Sequence, residues 1–194
     1  MFRYIFFLVL MSLFTLNANV SDRGPSGEEY KTPYRYDKDK TVNKRYLHAI
    51  NKMRSKSRNC GKYGVCKATT PLRWSDKLYG AASEHSKDMA KHNLRRHAGS
   101  GKSTDITGRK NGRASKTSER YKSHGYTYSK AFALAENVGA GQKSIIEIMK
   151  AWMKSPGHCA NIMSANFREM GLAKADNHKS KYKTYWTLNL GYRR

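Results

Sequence analysis

The chain has 194 residues, and 38 Lys and Arg against 14 Asp and Glu give it a formal charge of +24. Hydrophobic residues make up 38% and aromatics 11%, with a mean hydropathy of -0.82. That is too polar for a polytopic membrane protein and too aromatic for a disordered tail, so one folded domain with a basic surface is expected.

At the N-terminus, Arg3 precedes an apolar run from Tyr4 to Leu16 that only Ser12 and Thr15 interrupt. The run is too short for a stable membrane anchor, and Ala18 offers a small residue for cleavage, so residues 1–18 read as a signal peptide. Leu16, a poor residue three positions before the cut, leaves an uncleaved anchor as the alternative. Either way the remainder is exported, secreted or periplasmic, with no transmembrane helix in the mature chain. Residues 19–41 carry Gly24, Pro25, Gly27, Pro33 and alternating charge and read as a flexible basic arm before a domain over 42–194.

Helical spacing of Val42, Tyr46, Ile50 and Met53 predicts a helix to about Ser57, ended by Asn59–Gly64. Ser75 is the N-cap of a second helix, with Leu78, Ala81, Ala82, His85 and Met89 on one face, running to about Asn93. Residues 99–118 are rich in Gly, Ser, Thr, Lys and Arg and are expected to form a surface loop. A short helix over Ser118–Ser123 follows, ended by Gly125. Ser144 and Glu147 have capping-box spacing at the start of a third long helix with Ile145, Ile148, Met149 and Trp152 on its buried face, and Pro156 stops it. Met170–Ala175 and Tyr185–Tyr192 then form a hairpin across Asp176–Ser180. Helices first and paired antiparallel strands last indicate an α+β fold.

Export permits the three cysteines to oxidise, and an odd count leaves one thiol over. Cys60, Cys66 and Cys159 allow three pairings. A bridge to Cys159 closes a loop of about a hundred residues, worth nominally up to about 4.7 kcal/mol, which favours Cys159 with Cys60, or alternatively with Cys66, over a Cys60–Cys66 link. No second Cys pair supports a structural zinc site.

His97, Glu136 and His158 stand out because each is expected at an element end, beside small residues that let a polar side chain reach a cleft. Two imidazoles and a carboxylate suit a Zn²⁺ site with an open fourth position, or an acid–base pair. His85, Asp88 and His92 share one helix face, but His85 falls in the apolar stripe and reads as a core-edge hydrogen bonder. Asn161 and Glu169 are expected to fasten the turn after His158. Tyr182, Tyr185 and Trp186 alternate as core and surface aromatics of a strand.

Several stretches in register carry a further signal. They are Leu72-Arg73-Trp74-Ser75, His85-Ser86-Lys87-Asp88-Met89-Ala90, His97-Ala98-Gly99-Ser100-Gly101, Ala135-Glu136-Asn137-Val138-Gly139-Ala140-Gly141 and Ala151-Trp152-Met153-Lys154-Ser155-Pro156-Gly157-His158-Cys159-Ala160-Asn161. Together, from about Val42 to Tyr192, they resemble the bacterial branch of the CAP superfamily, the group of cysteine-rich secretory proteins, antigen 5 and pathogenesis-related 1 proteins. The resemblance implies an α-β-α sandwich whose cleft has a polar floor of two His and two acids, zinc-binding in some members. His97, Glu136 and His158 match three of the four. Where the eukaryotic pattern has the second acid, three residues after Trp152, this chain has Ser155, and Glu119 is the candidate substitute. The short interval from Trp152 to His158 lacks the eukaryotic insertion, which puts loop-dependent lipid or sterol binding in doubt.

The densest basic run, Lys102 to Lys122, includes Lys102, Arg109, Lys110, Arg113, Lys116, Arg120 and Lys122. Such a field attracts anionic envelope polymers and lipid headgroups, and nucleic acid without sequence preference. The leading expectation is therefore an exported CAP-domain binding protein, its cleft holding a divalent metal such as zinc or a small ligand. The alternatives are a secreted hydrolase or nuclease using His97, His158 and Glu136 as acid–base groups, and a structural envelope protein without chemistry. No residue has the local signature of a nucleophile.

Overall fold

A computed structural model describes residues 40–127 and 132–193. The predicted signal peptide and nearly all of the arm lie outside the described residues. The first helix, α1 (Lys40–Arg54), buries Tyr46 and Ile50 and reaches across the chain with its last residue. Arg54 is fully buried, its guanidinium donating to the carbonyls of Thr70, Ile162 and Ser164 at 2.7–3.0 Å, which replaces the water it loses. After α1 come two short strands, β1 (Arg58–Asn59) and β2 (Val65–Cys66), an antiparallel hairpin around a 3₁₀ turn at Gly61–Tyr63, and then β3 (Arg73–Trp74).

The second helix, α2 (Asp76–His92), starts where Ser75 accepts the Leu78 N–H and ends on Asn93 in the left-handed conformation. Two short helices, α3 (Ile106–Lys110) and α4 (Thr117–Ser123), follow, then β4 (Phe132–Ala140), α5 (Ile145–Lys154), α6 (Pro156–Met163), β5 (Glu169–Asp176) and β6 (Thr184–Arg193). The sheet order is β3-β5-β6-β4. The β5–β6 hairpin pairs antiparallel with Leu172 opposite Leu188, β4 pairs antiparallel with β6 with Glu136 opposite Asn189, and β3 pairs parallel with β5.

Period-2 alternation divides the strands between two layers. Met170, Leu172, Trp186, Leu188 and Leu190 join Tyr46 and Ile50 of α1, Ile148 and Trp152 of α5, and Ile162 of α6 in the main core. The opposite face meets α2: Ser86 donates to the Ala173 carbonyl and to Thr187, and Asn189 donates to the Leu78 carbonyl. The result is an α-β-α sandwich. Because both faces of β6 are covered, Tyr185 and Trp186 are both buried, and Tyr182 is partly buried against Tyr185.

One local expectation is corrected and another extended. Residues 99–118 are not a solvated loop: α3 lies inside them, and buried carboxylates gather their backbone. Asp105 caps α3 and accepts the N–H groups of Gly101, Gly108 and Ser115; Asp88 accepts the Ser100 N–H and the Ser100 and Thr104 hydroxyls; Glu84 accepts the Thr107 N–H and hydroxyl and pairs with His124. Gly99 is required there, since a Cβ would come within 2.2 Å of Asp105. Pro156 ends α5 but also begins α6, where its fixed φ and missing N–H suit the first helical turn.

Cys60 and Cys159 form a disulfide with Cα atoms 5.4 Å apart, and Cys66 is free and half-buried beside it. Among the described residues no helix is long and apolar enough to cross a membrane.

Candidate functional site

Glu136 is at the centre of the site. It does not sit at an element end, as expected from the glycines after it, but midway along β4, 7% exposed. Strand alternation turns it toward α4 and Asn137 toward α6. Its Oε1 accepts from His97 Nδ1 at 2.9 Å and from the Thr117 hydroxyl at 3.0 Å, and its Oε2 accepts from Arg120 at 2.8 Å. Burial pushes the carboxyl up, but the Arg120 guanidinium, with His85 and the His97 hydrogen bond, outweighs it and holds Glu136 at about 2.

Arg120 is the residue that the sequence reading misassigned. It belongs to the basic run expected to face anionic polymers, yet it is fully buried. From α4 its guanidinium donates to the Ser115 hydroxyl, the His97 carbonyl, Thr117 and Glu136, so one side chain fixes both the acid and the backbone of the histidine that faces it.

His97 projects with its side chain 56% exposed. The hydrogen bond it donates to Glu136 raises its pKa above the usual imidazole value, against a smaller opposing effect of burial. With Nδ1–H held by the carboxylate, Nε2 is the nitrogen directed elsewhere. Beneath it, His85 is fully buried, donates from Nε2 to the Arg96 carbonyl at 2.8 Å, and lies 3.9 Å from Glu136. Burial lowers its pKa against the opposing pull of Glu136, and its bond to Arg96 makes it a hydrogen-bonded core histidine.

His158 comes from the other layer. It is half-buried on α6, its ring tilted beside Trp152 at 6.5 Å. Asn137 accepts from Asn161 and donates to the His158 carbonyl, so β4 grips the helix at that residue. Burial lowers the His158 pKa, and the charge of His97 lowers it further. Between β4 and the start of α4 lies a cleft of about 420 Å³ lined by His97, Lys116, Thr117, Ser118, Leu134, Ala135 and Glu136; His158, expected in the cleft, is not among its walls.

Other expected site residues are elsewhere. Glu119 is not a substitute acid: it pairs with Arg113 and accepts the Lys116 N–H at the start of α4. Ser155 is the junction between α5 and α6 and does not line the cleft. Asn161 does fasten the segment around His158, whereas Glu169 instead accepts from the Tyr126 hydroxyl. Both oxygens of Glu136 are engaged, and among the described residues no three His, Cys, Asp or Glu converge on a metal position. A three-ligand zinc set of His97, His158 and Glu136 therefore does not fit, and His97 keeps one ring nitrogen outside its contact with Glu136.

The model of the cysteine-rich secretory protein family, CAP, matches residues 47–190. The chain belongs to that family. The CAP match takes in β4, α4, α6 and every residue of the cleft. A 56-residue stretch is 41% identical to the uncharacterized protein YkwD of Bacillus subtilis, covering 29% of this chain and 21% of that protein. An extracellular SCP-domain protein of Bacillus anthracis has a similar fold, with TM-score 0.54 and 20% identity over 84% of this chain and 45% of that one. An outer surface protein of Borrelia burgdorferi superposes with TM-score 0.56 and 15% identity, over 84% of this chain and all of that one. The chain thus spans less than half the length of the Bacillus proteins, and at these identities the solved structures show the fold.

Proposed function

We propose that this CAP protein is an exported binding protein, in which His97 at the cleft, together with His158 of α6, takes a divalent metal or small ligand and whose basic surface docks on the anionic cell envelope. One observation carries the reading: Glu136, itself held by Arg120, accepts from His97 Nδ1 and so fixes the tautomer and orientation of that ring, the arrangement in which a carboxylate backs an imidazole that offers its other nitrogen to a ligand. Export is supported by the apolar run before Ala18 and by the extracellular and outer-surface descriptions of the structural neighbours. The same His97–Glu136 pair supports acid–base hydrolysis as a second reading, in which turnover of RNA, peptide or glycan disappears in Glu136→Gln while the fold persists.

Zinc titration by calorimetry near pH 7.5 on metal-stripped protein tests the binding reading. One-site binding at micromolar Kd or tighter is expected, lost in His97→Ala and His158→Ala and weakened about 10–100-fold in Glu136→Gln. Absence of binding, or binding unchanged in both alanine variants that remain folded, overturns it.

A further inference from the structure

The large hydrophobic side chains exposed among the described residues are Tyr63 (55%), Val65 (70%) and Ile146 (65%), and two of the three share the tip of the β1–β2 hairpin. A soluble hairpin ordinarily covers or dilutes such a pair. The hairpin's own stretch of chain is cationic: between Asp39 and Asp76 there is no acidic residue, and Lys62 in the turn and Lys56 and Lys67, which flank the two strands, are exposed. Lys62 Nζ lies 5.4 Å over the Tyr63 ring, an apolar body and a cation in one unit, as suits the boundary between acyl chains and headgroups.

The tip is also rigidly mounted. Cys60 N–H donates to the Gly64 carbonyl, Gly61 and Gly64 take the positive φ that the tight turn needs, and the Cys60–Cys159 disulfide fastens the start of the turn to α6. Gly61 packs on Pro156, two residues before His158. A fixed loop loses little conformational freedom when its side chains enter a second phase.

We infer that the β1–β2 hairpin is a membrane-docking element, in which Tyr63 and Val65 enter the headgroup region of an anionic bilayer while Lys56, Lys62 and Lys67 engage its phosphates. The inference rests on the anionic-surface part of the proposed function and is independent of the cleft. It adds an apolar contribution that charge alone does not provide, and this separates a lipid surface from a soluble polyanion.

Co-sedimentation of the exported protein, purified after processing, with phosphatidylglycerol/phosphatidylcholine vesicles and with pure phosphatidylcholine vesicles tests it. Binding to the anionic vesicles alone is expected. Tyr63→Ser with Val65→Ser lowers the partition coefficient at least about tenfold, each of Lys56→Ala, Lys62→Ala and Lys67→Ala lowers it about fivefold, and Ile146→Ser, equally exposed but on α5, leaves it unchanged. If the charge variants and salt weaken binding but the Tyr63/Val65 double variant binds as the parent does, the protein adsorbs as a polycation: the envelope-docking reading survives and the hairpin inference falls. If the anionic vesicles are not bound at all, both fall. Circular dichroism of each variant confirms the fold.

Discussion

Arg120 and Glu136 are an ion pair taken almost wholly out of water, and such pairs are costly to break from one side because the remaining charge keeps its desolvation penalty. Arg120→Ala is therefore expected to lower unfolding free energy by about 3–5 kcal/mol in urea titration, more than the loss of any exposed Lys or Arg in the same basic run. His97 responds differently because it is more than half exposed. Its pKa is raised in the folded state, so its pairing with Glu136 contributes fully below the unfolded imidazole value and is lost as pH rises through the higher folded one. The stability advantage of the parent over Glu136→Gln should shrink across that interval. An NMR titration should show the His97 pKa falling in Glu136→Gln; an unchanged midpoint would remove the carboxylate as its cause.

At the scale of elements, the fit between α2 and the sheet depends on one missing side chain. A Cβ at Gly171 on β5 would lie 2.0 Å from the Tyr79 nitrogen and 2.3 Å from the Leu78 carbonyl carbon, backbone atoms that cannot turn aside. Gly171→Ala should push α2 off the strand and cost about 3 kcal/mol or more. Gly157, between Pro156 and His158 in the first turn of α6, has nothing near its would-be Cβ. There alanine should stabilise by about 0.5–1 kcal/mol, since glycine forgoes helix propensity without supplying room. Thermal unfolding of the two variants, shifted in opposite directions, would check both. β4 shows why an element can escape a local reading: Ala133, Ala135, Glu136, Asn137 and Gly139 are poor strand formers, and the segment is extended because nine of its residues register against β6.

For the whole molecule, the disulfide joins residues 99 positions apart and ties the hairpin to the helix bearing His158. In the chain-entropy account a link of that span constrains the unfolded state most. Cys60→Ala with Cys159→Ala should lose about 3–5 kcal/mol in urea, whereas Cys66→Ser should lose less than about 1 kcal/mol. In the native oxidised protein a maleimide should label one thiol, Cys66, and mass spectrometry of the labelled peptides would show it.

Local chemistry was legible in the sequence alone. Helical periodicity and the caps Ser75 and Ser144 marked α2 and α5, alternation marked the β5–β6 hairpin, and the ordered motifs marked the CAP family, because each depends on residues within a turn or two of one another. The candidate residues His97, Glu136 and His158 were each singled out by a local motif, and of the three the cleft is lined by His97 and Glu136. What only the tertiary structure decided is which charges meet. Glu136 lies 39 positions from His97 and 16 from Arg120, and Asp105, Asp88 and Glu84 gather a polar segment whose composition resembles a solvated loop. The partner of a buried charge is chosen by the packing of distant elements, and composition near the charge carries no record of that choice.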